Sequence, residues 1–408
     1  MKKSILLICL TLICQILFGQ WEIITNGQYP DIQKIDFPTN EIGYACGKNF
    51  ILKTIDGGET WNKIDVDYDF KTLDFPTELI GYAAGKDSTI CKTIDGGLTW
   101  IKLNIPNLTS PFLNYNSVTF KNEDIGFIVG GGLSFEDLET WISDGYILKT
   151  INGGETWNYI YTWTEMKYIF IIEGTNTVYA AGGTKPPWES EQILLKSVDL
   201  GENWIQIEDE IETPIISINC FDEQNIILNG CLSVYYSNDS AVSFNYFSFD
   251  TLYINDSYLI NSGDFFLVGS NSNIFKYSKE NSIFEKIIIE NLDNDLFDIE
   301  MTKNKVGFIV GSDGLILRNT NITSIMQQEI SDINISIFPN PTTDKITLNF
   351  QEFSEYEIKI YNSEKVIKSI TIIGNKTDLN IANLPSGVYF IKIKSKAGGK
   401  WTKKIVKI

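Results

Sequence analysis

Histidine is absent from the 408 residues. No Ser-His-Asp triad, imidazole base or histidine metal ligand can be built. Arginine is nearly absent, Arg318 being the single one. Bidentate clamps on carboxylate or phosphate normally use arginine, so an arginine-lined anion site is excluded too. No glycine-rich phosphate loop or dinucleotide fingerprint occurs, which leaves ATP and nicotinamide without support, and haem has none either; no cofactor is expected. Beyond the first 19 residues no apolar run is long enough for a transmembrane anchor.

What is present reads as a folded, exported protein. Hydrophobic residues at 43% and aromatics at 13% are too many for a disordered chain, and the length allows two or three domains. The net charge of −19 is unevenly spread. From Asn334 to Ile408 twelve lysines face six acids, a net +6, whereas residues 4–333 hold 46 acids against 19 Lys and Arg, a net −27. A body that acidic repels nucleic acid and anionic membranes. The change of sign near residue 330 marks a domain boundary. Lys2-Lys3, the apolar run Ile5–Phe18 and then Gly19-Gln20 read as a secretory signal over residues 1–19. Cys9 and Cys14 each follow isoleucine, which argues against a lipoprotein box. Cys46, Cys91, Cys220 and Cys231 remain after it; four cysteines allow three pairings, and small buried strand thiols are the favoured reading.

A repeat dominates the body. It reads KTIDGGETW at Lys53–Trp61, KTIDGGLTW at Lys92–Trp100, KTINGGETW at Lys149–Trp157 and KSVDLGENW at Lys196–Trp204, with a degraded copy, YSNDSAVSF, at Tyr236–Phe244. A short apolar strand ending in glycine precedes each copy and recurs twice more, at Gly47, Gly85, Gly130, Gly182, Gly230, Gly269 and Gly311, 38 to 52 residues apart. In the first unit the four strands fall at Gln33–Phe37, Gly43–Cys46, Phe50–Thr54 and Trp61–Ile64. Four short strands per 40–50 residues, seven times over, predict an all-β seven-bladed β-propeller over residues 20–322. The last unit lacks a fourth strand, and Trp21–Ile24 matches the missing one, so the ends should close the ring.

The DxGxTW element resembles the Asp-box of bacterial-neuraminidase-type repeats. Together with the GYAAG-type strand it resembles still more the photosystem II assembly-factor-like propellers, over about 300 residues. Its chemistry is that of a fold element. Asp56, Asp95 and Asp199 can accept backbone N–H bonds in the turn, and Asn152 keeps that ability without the charge. Gly58, Gly97, Gly154 and Gly201 allow φ > 0. Trp61, Trp100, Trp157 and Trp204 supply apolar area between blades.

A polar stretch over residues 323–333 reads as a linker, and 334–408 as a small β-sandwich. Ile346/Leu348/Phe350 and Tyr389/Ile391/Ile393 alternate as half-buried strands, with Lys392 and Lys394 on the solvated side. Three motifs stand in order: Pro339-Asn340-Pro341, then Leu384-Pro385-Ser386-Gly387-Val388-Tyr389, then Lys403-Lys404-Ile405-Val406-Lys407. They resemble the type A C-terminal sorting domain of the type IX secretion system of Bacteroidetes. The resemblance implies that secretion machinery as a partner, passage across the outer membrane and a secreted or cell-surface location.

For function, most second-to-third-strand loops are minimal, but Gly130–Tyr146 and Gly182–Gln192 are long. Long loops on a rigid scaffold are where binding resides. Of nine tryptophans, three are left unexplained by the repeats and the last domain: Trp141, Trp163 and Trp188. They stand beside Glu136, Asp137, Glu139, Glu189 and Glu191, and aromatics beside carboxylates suit sugar stacking or protein contacts; covering the loops' own small cores is their structural alternative. Three readings follow: a non-catalytic propeller binding an extracellular glycan or protein, a glycoside hydrolase using Asp/Glu on the loop face, or an assembly scaffold. The missing arginines count against a sialidase, and no catalytic residue is singled out. The acidic runs Asp65–Asp69, Glu208–Glu212 and Asp293–Asp298 lack EF-hand spacing, so they read as solvated loops and no metal is assigned.

Overall fold

Short apolar runs separated by Gly- and Asp-rich turns favour strands throughout. A computed structural model describes residues 21–320 and 336–408, apart from 106–107, 109–112, 136–140, 185–190, 208–210, 250–251, 281, 363–365 and 396–399. The signal and linker segments fall outside the described residues. The chain divides into two compact units, Gln20–Thr320 and a C-terminal unit within Asn321–Ile408. Among the described residues no α-helix occurs, only a 3-10 turn at Ser312–Gly314.

In the first unit, β1 (Glu22–Thr25) precedes a six-stranded sheet of β2 (Ile32–Asp36), β3 (Gly43–Thr54), β4 (Asn62–Asp74), β5 (Gly81–Gly85), β6 (Ile90–Thr93) and β7 (Ile101–Lys102). Four-stranded antiparallel sheets follow. The first has β8 (Asn114–Phe120), β9 (Gly126–Phe135), β10 (Trp141–Thr150) and β11 (Asn158–Thr162); the second β12 (Met166–Ile171), β13 (Val178–Thr184), β14 (Glu191–Ser197) and β15 (Ile205–Gln206). The third has β16 (Ile215–Cys220), β17 (Ile226–Gly230), β18 (Ser233–Ser237) and β19 (Asn245–Ser248); the fourth β20 (Ile254–Leu259), β21 (Phe265–Gly269), β22 (Asn273–Ser278) and β23 (Ile283–Ile287). The last sheet joins β24 (Leu296–Met301), β25 (Gly307–Gly311) and β26 (Ile316–Asn319) to β1, with Glu22 opposite Arg318. The N-terminal strand therefore completes the final sheet, as the stray Trp21 motif requires.

Two boundaries differ from expectation. The second and third strands of the first repeat run together as β3, because Lys48-Asn49, with Asn49 at φ 65°, turns without leaving the sheet. The acidic run Asp65–Asp69 is not a solvated loop but the middle of β4, which passes from one repeat into the next. There Lys63 pairs with Asp65 at 2.6 Å and Lys86 with Asp69 at 2.9 Å.

Sheet packing explains the repeat's glycines. The second strands of the repeats, such as Gly81–Gly85 and Gly307–Gly311, are buried along their whole length, because the sheet has neighbours on both faces. Each first strand carries a bulge where its pairing with the second strand begins, as between Phe70 and Thr72 or Leu296 and Asp298. The carbonyl just before the strand then lies against the adjoining glycine. A Cβ on Gly85, Gly130, Gly182, Gly269 or Gly311 would overlap the carbonyl oxygen of Asp69, Asn114, Glu165, Tyr253 or Asp295. Close approach, not a special φ, fixes glycine there.

The repeat turns are stapled twice. Within a turn, Asp56 Oδ1 accepts the Thr60 N–H at 2.9 Å and Oδ2 the Thr60 hydroxyl at 2.6 Å; Asp95 repeats this with Thr99, and Asp199 with Asn203. Asn152 keeps the backbone bond to Thr156 at 3.0 Å. The degraded copy keeps it as well, Asp239 accepting from Ser243 N at 2.9 Å, with Ser240 and Ala241 at φ 67° and 66°. Between sheets, Lys53 Nζ donates to Gly96 O and Lys92 Nζ to Gly153 O, both at 2.9 Å. Trp61, Trp100 and Trp157 pack edge-on against Phe37, Phe75 and Phe120. Gly58 faces Phe308 and Gly201 faces Phe127 where a Cβ would overlap each ring.

The C-terminal unit is one sheet of β27 (Ser336–Phe338), β28 (Lys345–Tyr361), β29 (Val366–Asn380), β30 (Gly387–Ser395) and β31 (Lys400–Lys407). The expected sandwich is met in part. β28 and β29 break register between Asn349 and Ser354, opposite Gly374, and both halves of β28 send side chains into a single core. Phe350 and Tyr356 stack there at 4.0 Å, beside Ile346, Ile391 and Ile393.

Candidate functional site

The first long loop, Gly130–Tyr146, turns out to be mostly strand. β9 and β10 stay paired from Gly126–Thr150 out to Phe135–Trp141, well past the glycine at which β5, β17, β21 and β25 end. β13 and β14 extend less, to Thr184 opposite Glu191. Glycines make the longer extension possible. The segment after β11 crosses the hairpin base so closely that a Cβ on Gly131 would press on Glu165 and one on Gly145 would overlap Thr164 O. Trp141 opens β10 and Glu191 opens β14. Glu136, Asp137, Glu139, Trp188 and Glu189 lie outside the described residues. Trp163 sits in the turn over Gly145, 48% exposed, and the Thr162 hydroxyl donates across that turn to Thr164 O at 2.9 Å. The fold thus brings Trp163 to the base of the hairpin that Trp141 belongs to.

Sequence reasoning missed the neighbours of Trp163 on β11. Tyr159, Ile160 and Tyr161 are exposed, and Tyr146 of β10 touches both tyrosine rings edge-on, at 6.0 and 5.7 Å. The Tyr161 hydroxyl donates to Asp144 Oδ1 at 2.8 Å. The signal was in the sequence: this repeat ends WNYIYTW where others read WNKIDV or WIKLNI.

A second polar assembly lines the first strands of the sheets. Lys34 Nζ reaches Asp298 at 2.6 Å and, from the far side, the Tyr168 hydroxyl at 3.3 Å. Carboxylates and amides of one strand accept backbone N–H groups of the next. Asp36 takes Phe75 N at 2.8 Å, Asp74 takes Phe120 N at 3.1 Å, Asn219 takes Leu259 N at 2.9 Å, Asp256 takes Ile299 N at 3.1 Å and Asp298 takes Ile35 N at 3.0 Å. Asp298 is therefore buried and paired in β24, whereas Asp293 and Asp295, earlier in the same acidic run, lie exposed in the loop before it. Burial pushes Asp36 up to about 6, Asp256 to about 7, Glu300 to about 8 and Asp74 well above its ordinary range. Burial opposes the charge on Lys34, but Asp298 and the acids around it hold its pKa well above normal. One cation among five acids makes this a pin between strands.

Among the described residues the thiols are free: Cys46 and Cys91 are buried, Cys220 half-buried and Cys231 exposed. Burial pushes Cys46 and Cys220 up and Cys91 up to about 11, so none of these three is an activated nucleophile. In the C-terminal unit the motif residues meet one another. Asn340 Oδ1 accepts Val406 N at 2.8 Å, and the Tyr389 hydroxyl donates to Pro385 O at 2.7 Å, closing the turn that holds Leu384 and Gly387. Pro339 and Pro341 flank Asn340 on the surface, and Lys403 and Lys404 face Ile391 and Phe390 across the β30–β31 ladder.

Residues 336–408 match the family of secretion system C-terminal sorting domains. That match implies handling by the type IX secretion machinery and export to the surface or beyond. The chain carries a β-propeller. It is similar to a structure of YCF48 bound to D1 peptide, at 16% identity and TM-score 0.58, covering 74% of this chain and 95% of that one. YCF48 from Cyanidioschyzon merolae gives 16% and 0.56, covering 74% and 98%. The WD40 propeller of Doa1 gives 12% and 0.54, covering 75% and 99%. At such identities the likeness is one of fold. No curated protein matches the sequence. No helix among the described residues is long and apolar enough to cross a membrane.

Proposed function

We propose that the chain is an exported seven-bladed propeller that binds an extracellular glycan or protein through the face bearing the β9–β10 and β13–β14 hairpins, and performs no chemistry of its own. The count of seven takes the six-stranded sheet as two blades sharing β4. It is supported by first strands that neighbour one another in a cycle from β2 through β4, β8, β12, β16, β20 and β24 back to β2. The Asp-box reading of the repeat turns rests on their shared hydrogen bonds. A secretory signal at 1–19 and a linker at 323–333 complete the layout.

The observation that carries the binding role is the β9–β10 extension, a rigid ladder in place of a loop, beside exposed aromatics. A protein ligand belongs to the reading because YCF48 has been seen with a peptide. The test is a screen of the full chain on immobilised glycans and secreted proteins, with W141A/W188A as the variant. Binding lost in a variant that melts like the parent supports the assignment; binding unchanged removes it.

A further inference from the structure

The outer strand β11 differs from its counterparts. Among the described residues β1, β7, β15, β19 and β23 each expose one large apolar side chain, namely Ile23, Ile101, Ile205, Tyr246 and Ile283, with Ile288 added just after β23. β11 and the turn after it expose four: Tyr159 at 49%, Ile160 at 41%, Tyr161 at 51% and Trp163 at 48%. Exposed large apolar side chains gathered on one strand and its turn mark an interaction site. Its chemistry is specific. From Asn158 to Trp163 no residue is charged, in a body that carries −27. Tyr159 and Tyr161 share one side of the strand, about 7 Å apart along it. Neither ring is loose: Tyr146 supports both, and Asp144 fixes the Tyr161 hydroxyl.

From this juxtaposition we infer that β11 and the Trp163 turn form a binding strip for a neutral glycan chain. Aromatic faces with polar tips stack on sugar rings and hydrogen-bond their hydroxyls. A protein partner with the usual acidic surface would be repelled by the body, and a basic one would find no carboxylate among these six residues and, beside them, Asp144, whose Oδ1 already accepts the Tyr161 hydroxyl. An uncharged, hydroxyl-rich ligand meets neither obstacle. The inference rests on the reading of the propeller as a binding scaffold, and places the contact on the strand rather than in the hairpin tips.

The experiment is native affinity electrophoresis of the full chain in gels containing a soluble β-glucan, xylan or mannan, with polygalacturonate as the anionic comparison. Retardation by at least one neutral polysaccharide is expected, weakened at least tenfold in Y159A/Y161A and retained in Y161F, which keeps the ring. Should the double variant melt early, W163A, in an exposed turn, provides the same comparison. Three results overturn the proposal: no neutral polysaccharide retards the folded chain, only polygalacturonate does, or retardation survives the tyrosine and Trp163 changes. Binding lost in W141A/W188A but kept in Y159A/Y161A would leave the scaffold reading standing and remove the strip. A protein ligand with no glycan would do the same.

Discussion

Lys34 holds five inner-strand acids together, and its effect depends on their protonation. Replacing it by methionine keeps the packing and leaves Asp298 without its 2.6 Å partner. Breaking a buried pair typically costs about 3–5 kcal/mol. K34M should lose that near pH 8, where Asp36 and Asp256 are ionised and Glu300 is about half so, and clearly less at pH 5, where all three are largely protonated. Urea unfolding at the two pH values checks this; equal losses would contradict it. Ser240 occupies the turn position held elsewhere by Gly57, Gly96 and Gly153, at φ 67°. Its contacts there are through the backbone, N–H to Gln224 O and carbonyl to Lys196 Nζ. Ser240→Gly should stabilise the chain by about 0.5–1 kcal/mol by removing a left-handed non-glycine residue, read as a higher urea midpoint. The intact repeat turns were legible because Asp, Gly and Trp act locally. The fifth was legible only as a degraded copy, because Ser240 and Ala241 stand where the first three copies have glycine, while Asp239 and Ser237 keep the turn's bonds. The inner-strand acids were not legible: alternating charge on a strand reads as a solvent face, and only ring closure buries it.

At the scale of elements, the outer strands hold the sheets together through the tryptophan just before them. Trp157 is 6% exposed and packs edge-on against Phe120. Trp157→Ala should cost about 3–5 kcal/mol, measured by urea unfolding. Trp163→Ala, six residues later in an exposed turn, should cost little, and a large loss there would contradict its assignment to a surface strip. Strand positions within the repeats were readable from the glycine-terminated runs. The hairpin extension was not, because GGGLSF and WISDGY look like loop sequence until the Thr162–Glu165 crossing shows why Gly131 and Gly145 must be glycines. The merging of Asp65–Asp69 into β4 was likewise hidden, since acidic residues on an exposed strand face resemble a solvated loop. In the C-terminal unit, alternation alone gave the core, and Tyr389→Phe should weaken that unit by about 1 kcal/mol through loss of the bond to Pro385 O.

For the whole molecule, charge sets the response to pH. Asp36, Asp256 and Glu300 have pKa values raised above the unfolded range near 4. The native state then binds more protons than the unfolded one between about pH 4 and 8, so stability falls as pH rises through that window. Asp56, Asp199 and Asp239 act oppositely. Their turn hydrogen bonds hold them near 2, so their contribution is present above about pH 4 and is lost as pH falls toward 2. The melting temperature should peak at about pH 4 and fall from there toward pH 8; a steady rise from pH 5 to 8 would contradict the buried acids. Ring closure makes these effects cooperative, because β1 ties the first residues of the unit to the last. An acidic propeller followed by a basic sorting domain is thus a scaffold built for export, and its exposed aromatic strand is the surface left for a partner. The most direct test is hydrogen–deuterium exchange of the full chain with and without a polysaccharide that retards it. The account predicts slowed exchange in β10, β11 and the turn after Thr162. Slowing confined to the repeat turns or the inner strands, or no polysaccharide in the panel that binds, would contradict it.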